Sequence, residues 1–197
     1  WIPIRPQTDT ALLLGVTKIL IDRGWYDAKF VKEFTDFPLL VRTDNLRRLR
    51  PEDIIPGYEN FDISGGPSFQ IHGLTPKMRK AVGDFMVWDK GKNQAVPISR
   101  DDVGRHLGEK NLDPALEGKF TVKLVSGQEI EVMPVFEMYK SHHLKDYDLD
   151  TVHEITQSPK ELIEQFAKDV STIKPAALHV GEGVNHWFHA TMTNRAP

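Results

Sequence analysis

Residues 158–187 read SPKELIEQFAKDVSTIKPAALHVGEGVNHW, and the order of signals in that stretch decides the fold class. Ser158-Pro159-Lys160-Glu161 combines a capping box with proline at the first helical position. Leu162, Ile163, Phe166, Ala167, Val170 and Ile173 then recur at helical spacing and predict one apolar face. Lys174-Pro175 ends the helix, Ala176 to Val180 reads as a short buried strand, and Gly181-x-Gly183 turns the chain toward another helix. A helix, a strand and a glycine turn in that order are the parts of an open α/β sheet, whose ligands sit at the carboxyl ends of its strands. Two glycines let a backbone approach a ligand closely, but His186 stands where G-x-G-x-x-G has its third glycine. A tight strand-to-helix turn with no ligand satisfies the same residues.

The opposite end repeats the pattern. Trp1 to Arg5 reads as the end of a strand, Pro6-Gln7-Thr8-Asp9 as a turn, and Thr8 or Asp9 as the cap of a following helix. Ala11, Leu12, Gly15, Val16, Ile19 and Leu20 mark its buried face, and Gly24 ends it. A short helix is predicted over 27–33, with Pro38 stopping further helix. The Pro6–Asp9 turn lies where an α/β sheet binds nucleotides, at a helix start that offers unpaired N–H groups. A carboxylate there suits guanine, which presents adjacent N1–H and N2–H donors. Asp9 as a plain helix cap accounts for the same residue.

Between the ends, 51–67 is rich in Pro, Gly, Asp and Asn and reads as an irregular excursion. Residues 84–135 read as β-rich: Phe85-Met86-Val87-Trp88 and Ala95-Val96-Pro97-Ile98 flank a turn at Lys90–Asn93, and FTVKLV-SG-QEIEVM predicts a hairpin with the two-residue loop Ser126-Gly127. A short helix is expected over 135–145. The expected fold class is therefore α/β, with partial Rossmann-like (doubly wound) segments at both ends and a β-rich insertion. The expected division is 1–50, 51–147 and 148–197. Each end supplies one strand and one or two helices, so the sheets are expected to be completed by other chain segments. The opening Trp-Ile-Pro-Ile and the closing Arg195-Ala196-Pro197 read as cut ends, and the chain as an internal piece of a longer one.

Composition narrows the chemistry. Apolar residues make up 40% and charged residues 27% of the 197, typical of a globular protein, and the net charge of −3 gives no reason to expect nucleic acid. No apolar run is long enough to cross a bilayer. Cysteine is absent, which excludes disulfides and thiolate or iron–sulfur ligation within these residues. His186 and His189 are spaced to share a helix face, yet no H-E-x-x-H accompanies them, and the adjacent pair His142-His143 is weaker still. No P-loop, nucleophile elbow or paired carboxylates point to a catalytic set, so neither catalytic residues nor metal ligands are expected here.

Taken together, the two ends are recognisable. IRPQTDTALLLGVTKILIDRGWYDAKFVKEFTDFPLLV resembles the I-x-P-G-T-D-x-A-L segment of molybdopterin oxidoreductases of the dimethyl sulfoxide reductase superfamily. SPKELIEQFAKDVSTIKPAALHVGEGVNHWFHATMTNRA resembles that family's later block of helix, Lys-Pro, strand, G-x-G turn and helix. Gly181-x-Gly183-x-Asn185-His186-Trp187-x-His189, Val87-Trp88-Asp89 and TDFPLLVRTD look like the branch of nitrite oxidoreductase and respiratory nitrate reductase alpha (catalytic) subunits. Perchlorate and selenate reductases and ethylbenzene dehydrogenase are similar enough to stay open.

The resemblance implies a molybdenum bis(molybdopterin guanine dinucleotide) cofactor held across two Rossmann-like domains. Pro6, Gln7, Thr8 and Asp9 would bind one guanine end, with Asp9 its acceptor, and Gln7 stands where glycine is common. Gly181, Gly183, Asn185, His186 and Trp187 would form a second loop against the cofactor. The implied reaction interconverts nitrite and nitrate, with electrons leaving through an iron–sulfur cluster of the parent subunit to an electron-transfer beta subunit. No ligand of either metal centre is expected within these residues, so the segment alone should be inactive. The implied setting is a membrane-associated complex facing periplasm or cytoplasm, with the periplasm favoured. Two other readings stand beside it: a non-catalytic nucleotide-binding or scaffold module, and a subunit-docking role for residues 58–135.

Overall fold

The computed structural model describes residues 1–66, 73, 75–177, 179 and 186. Contacts divide the chain into two compact units, one of residues 1–26 and 139–197 and the other of Asp27–Met138.

The first unit is helical. Helix α1 (Asp9–Asp22) packs its Leu12, Val16 and Ile19 with Val152, Ile163 and Ala167 of two helices from the far end of the sequence. Around them lie Ile4, Trp25, Tyr147, Leu149 and Phe166, half-buried. Its apolar face is the one the spacing predicts, with Ala11, Leu12, Gly15, Val16 and Ile19 all buried.

The second unit is β-rich, as the alternation over 84–135 predicts. It begins with α2 (Ala28–Phe34), capped by the Asp27 carboxylate, which accepts from the Phe30 N–H at 2.9 Å. Strand β1 (Leu40–Arg42) leads to the short helix α3 (Pro51–Ile54); beyond an irregular stretch, α4 (Pro76–Val82) precedes β2 (Phe85–Asp89) and β3 (Gln94–Ile98). Then come α5 (Arg105–Glu109), β4 (Phe120–Lys123), β5 (Glu129–Pro134) and α6 (Val135–Met138). In the first unit, a π-helical turn (Tyr139–His143) leads to α7 (Leu149–Thr156) and α8 (Lys160–Thr172).

The sheets are small and antiparallel: β1-β5-β4 in one and β2-β3 in the other. Alternation decides which residues meet. Leu40 and Met86 join Leu49, Val122, Ile130 and Val132 in one cluster, while their neighbours Leu39 and Val87 join Val96 and Ile98 in another. Both strands are thus buried on both faces. The Trp88 and Phe120 rings stack at 4.2 Å beside the first cluster.

Four local expectations are corrected. The β4–β5 loop is three residues long: Leu124 N–H donates to Gln128 O and Gly127 N–H to Leu124 O, each at 2.8 Å, and Gly127 has φ +89°. A type I turn closed by a left-handed glycine replaces the two-residue Ser126-Gly127 loop. The longer loop sets Val122 opposite Ile130, both buried, whereas the shorter one would slip the register and turn a charged residue inward. At α8, Pro159 is the cap residue and no side chain caps the helix; the Ser158 hydroxyl is buried and donates to Pro3 O at 2.5 Å instead. Trp1–Arg5 forms no strand, because no described segment offers it a ladder; Arg5 N–H donates instead to Thr156 O at 2.7 Å. Ala176 and Ala177 form no strand either, and most of the predicted strand and glycine turn lies outside the described residues.

The described residues are therefore a mixed α/β chain with small antiparallel sheets, and no helix among them is long and apolar enough to cross a membrane.

Candidate functional site

The Pro6–Asp9 turn is built by its two ends. Arg5 O accepts from the Thr8 N–H at 3.2 Å and the Thr8 hydroxyl at 2.6 Å, closing a four-residue turn. Pro6 fixes its own φ, and Gln7 follows at φ +72°. Proline followed by a positive φ is the type II turn, in which glycine is the unstrained residue at the second corner. Gln7 is exposed and pays the left-handed conformation without packing to offset it. Gln7→Gly is expected to stabilise the protein by about 1 kcal/mol, the strain relieved outweighing glycine's freedom in the unfolded chain. An upward shift of the urea midpoint checks this, and an unchanged or lowered midpoint contradicts it.

Behind the turn, the α7–α8 corner holds the incoming chain. Thr156 is fully buried and its hydroxyl donates to Val152 O at 2.7 Å; it also accepts from Ser158 N–H at 3.2 Å. The His153 imidazole Nδ1 meets Ser158 O at 2.6 Å. With Ser158–Pro3 and Arg5–Thr156, this corner fixes the three residues that precede Pro6. Farther up α7, the Thr151 N–H holds the Asp148 carboxyl below the usual carboxylate range, as expected of a helix cap.

The start of α1 carries no side-chain cap. Thr8, in the cap position, turns its hydroxyl back to Arg5 O and makes no cap hydrogen bond, so the expectation of a Thr8 cap is corrected. Leu12 N–H is the first to find an intrahelical carbonyl, Thr8 O at 3.1 Å. The N–H groups of Asp9, Thr10 and Ala11 precede it and have no acceptor within the helix. Asp9 is half-buried in that first turn. The turn thus offers donors and one carboxylate side by side, a set that fits a group presenting both acceptors and N–H donors, as a guanine does.

Of the predicted site residues, the structure brings together Pro6, Gln7, Thr8 and Asp9. Gly181, Gly183, Asn185 and Trp187 lie outside the described residues, and His186 is an exposed turn residue. In the second unit, a hollow of about 450 Å³ is lined by Asp62, Asp102, His106, Glu109 and Lys110 among others. Asp102 is engaged there by Ser99 and Lys110, and no group of three His, Cys, Asp or Glu could hold a metal among the described residues. What sequence reasoning missed is the supporting corner: Ser158 and Pro3 are 155 residues apart, and nothing local marks a hydroxyl that reaches so far.

No protein-family model matches the chain. Comparison with characterised proteins is informative over the full length, and it defines a class: the chain matches a segment of molybdopterin oxidoreductase catalytic subunits of the dimethyl sulfoxide reductase family. It is 34% identical to the perchlorate reductase subunit alpha of Dechloromonas aromatica, over 100% of this chain and 21% of that protein. It is 32% identical to the respiratory nitrate reductase subunit alpha of Haloferax mediterranei, over 100% of this chain and 19% of the other. The dimethylsulfide dehydrogenase subunit alpha of Rhodovulum sulfidophilum is similar at 28% identity, again over 100% of this chain. The chain spans about a fifth of the length of these relatives.

Proposed function

We propose that this chain is a segment of the catalytic subunit of a molybdenum enzyme acting on a small oxyanion, and that the Pro6–Asp9 turn holds the guanine end of one molybdopterin guanine dinucleotide. The observation that carries the reading is similarity, over the whole of this chain, to about a fifth of alpha subunits named for perchlorate and nitrate reduction. The geometry of the turn supports the guanine assignment. Asp9 would accept from guanine N1–H and N2–H, the N–H groups of α1 without an intrahelical acceptor would donate to its acceptors, and Pro6 restricts the backbone that presents both. Gly181, Gly183, Asn185, His186 and Trp187 are the proposed second loop against the cofactor. Residues 1–50 and 148–197 contribute to Rossmann-like cofactor domains completed elsewhere in the parent subunit, with 51–147 inserted between them.

When bound, the molybdenum centre supplies oxygen-atom transfer, converting nitrite and water to nitrate, two protons and two electrons, or running the reverse. An iron–sulfur cluster held elsewhere in the parent subunit would take up the electrons for a beta subunit. Similarity to the perchlorate reductase subunit favours perchlorate or chlorate as the second substrate reading.

Two measurements on the full-length protein test this. Oxidation of nitrite with an acceptor dye, set beside reduction of nitrate and perchlorate with a reduced viologen, identifies the substrate; turnover of none of them sinks the oxyanion reading. Asp9→Ala is expected to lower retained guanine nucleotide at least tenfold, because two donors of a desolvated guanine lose their acceptor. Nucleotide retained at the unsubstituted level rules out Asp9 as the guanine acceptor.

A further inference from the structure

Ser158 departs from the local rule for its position. Its type and its place before Pro159 suit a helix cap, yet α8 carries no side-chain cap. The first bonds within that helix come at Leu162 and Ile163, both to Pro159 O, so the N–H groups of Lys160 and Glu161 have no acceptor within it. The Ser158 hydroxyl goes to Pro3 O at 2.5 Å instead. Its other two polar groups are engaged in the same corner: the N–H donates to Thr156 Oγ1 at 3.2 Å, and the carbonyl accepts from His153 Nδ1 at 2.6 Å. Gln157, between Thr156 and Ser158, ends α7 in the left-handed conformation at φ +59°, which is strained for a residue with a Cβ. A strained link and a forgone cap both lower local stability, and departures of that kind gather where geometry matters more than stability.

The chain held by this corner shows the same pattern. Thr8 is also a cap-type residue whose hydroxyl turns away from its helix, to Arg5 O at 2.6 Å, and Gln7 beside it is left-handed at φ +72°. Residues 3–5 are thus gripped at three points: Pro3 O by Ser158, Arg5 N–H by Thr156 O at 2.7 Å, and Arg5 O by Thr8. The Arg5–Thr156 bond alone would let the segment pivot about it. A second bond two residues earlier fixes its direction, and with it the direction in which Pro6 leaves. Ser158 and Thr156 are fully buried within these residues, so their contacts do not depend on what the rest of the parent subunit covers.

We propose that Ser158 is a positioning residue for the Pro6–Asp9 turn: its hydroxyl on Pro3 O fixes how the turn meets α1, and so where the Asp9 carboxylate stands for a guanine. The inference rests on the guanine reading of that turn. Ser158 acts through the backbone of residues 3–5, not by contact with the nucleotide.

The test measures guanine nucleotide retained by the full-length protein after desalting, read as GMP released by acid hydrolysis, beside the urea midpoint. Ser158→Ala is expected to retain about fivefold less than the unsubstituted protein, the equivalent of one lost hydrogen bond. Ile163→Val, which takes a methylene from the buried face of the same helix at comparable cost in midpoint, should retain it fully. Ser158→Cys keeps the shape and weakens the donor, so it should lose nucleotide as the alanine variant does. Asp9→Ala/Ser158→Ala should retain no less than Asp9→Ala alone, because both changes act through one turn. Full retention in Ser158→Ala, an equal loss in Ile163→Val, restored retention in Ser158→Cys, or losses that multiply in the double variant overturns the proposal. Loss in Asp9→Ala with none in Ser158→Ala removes the positioning role alone, whereas full retention in Asp9→Ala removes the guanine reading and the positioning role with it.

Discussion

Asp84→Ala is expected to destabilise the β-rich unit by about 3–5 kcal/mol, the cost of removing one member of a buried charge pair. Asp84 is fully buried and Arg79 is 7% exposed. The Asp84 carboxylate takes Arg79 on Oδ1, and Tyr58 OH at 2.7 Å and Phe61 N–H at 2.8 Å on Oδ2. Its main-chain carbonyl takes Arg50. Burial, and then the hydrogen bond to Asp84, pushes the Tyr58 phenol well above its usual range. Alanine leaves a buried guanidinium without its counter-ion and two donors without an acceptor. The double variant Arg79→Met/Asp84→Leu is expected to lose less than Asp84→Ala alone, because no orphan charge remains. Urea unfolding of the three proteins checks the order. A double variant less stable than the single one shows that the knot is worth more than the charge burial it entails.

That knot was invisible in the sequence, and the reason is physical. Tyr58 falls in the stretch that reads as an irregular excursion, Asp84 at the edge of the β-rich one and Arg79 between the two, and no spacing rule links them. What local pattern controls is legible: the apolar face of α1, the short helix near 27–33, the paired strands 85–89 and 94–98. What long-range contacts control is not. Ser158 reads as a cap by type and neighbours, but its hydroxyl finds a better-buried acceptor in Pro3 and leaves the helix uncapped. Turn composition places the β4–β5 hairpin but fits both loop lengths, and only the burial of Val122 opposite Ile130 fixes the register. The candidate site divides the same way. Pro6 to Asp9 was readable as a turn before a helix, and glycine's absence at Gln7 carried a true signal, since that residue has the positive φ. The corner that steadies the turn was not readable at all.

Gly15→Val is expected to destabilise the helical unit by about 3 kcal/mol and to disturb the Pro6–Asp9 turn with it. A Cβ at position 15 would lie 2.5 Å from Val152 Cγ2 and 2.9 Å from Cγ1. Val152 is fully buried and β-branched within α7, so it has essentially one rotamer and nowhere to turn. The helices must part, losing contact between Leu12, Val16 and Ile19 on one side and Val152 on the other. Helix propensity opposes the loss by under about 1 kcal/mol, so overpacking decides the sign. The double variant Gly15→Ala/Val152→Ala provides the control: its two changes should couple by about 1–2 kcal/mol, with the second alanine making room for the first. Because α7 ends at Thr156, whose carbonyl holds Arg5, shifting α7 away from α1 moves the anchor of the turn relative to the helix it starts. Guanine nucleotide retained by the full-length Gly15→Val protein should fall with stability and recover in the double variant. Full retention in a protein whose midpoint has dropped would separate the site from the helix packing beneath it, and place guanine recognition elsewhere than at the start of α1.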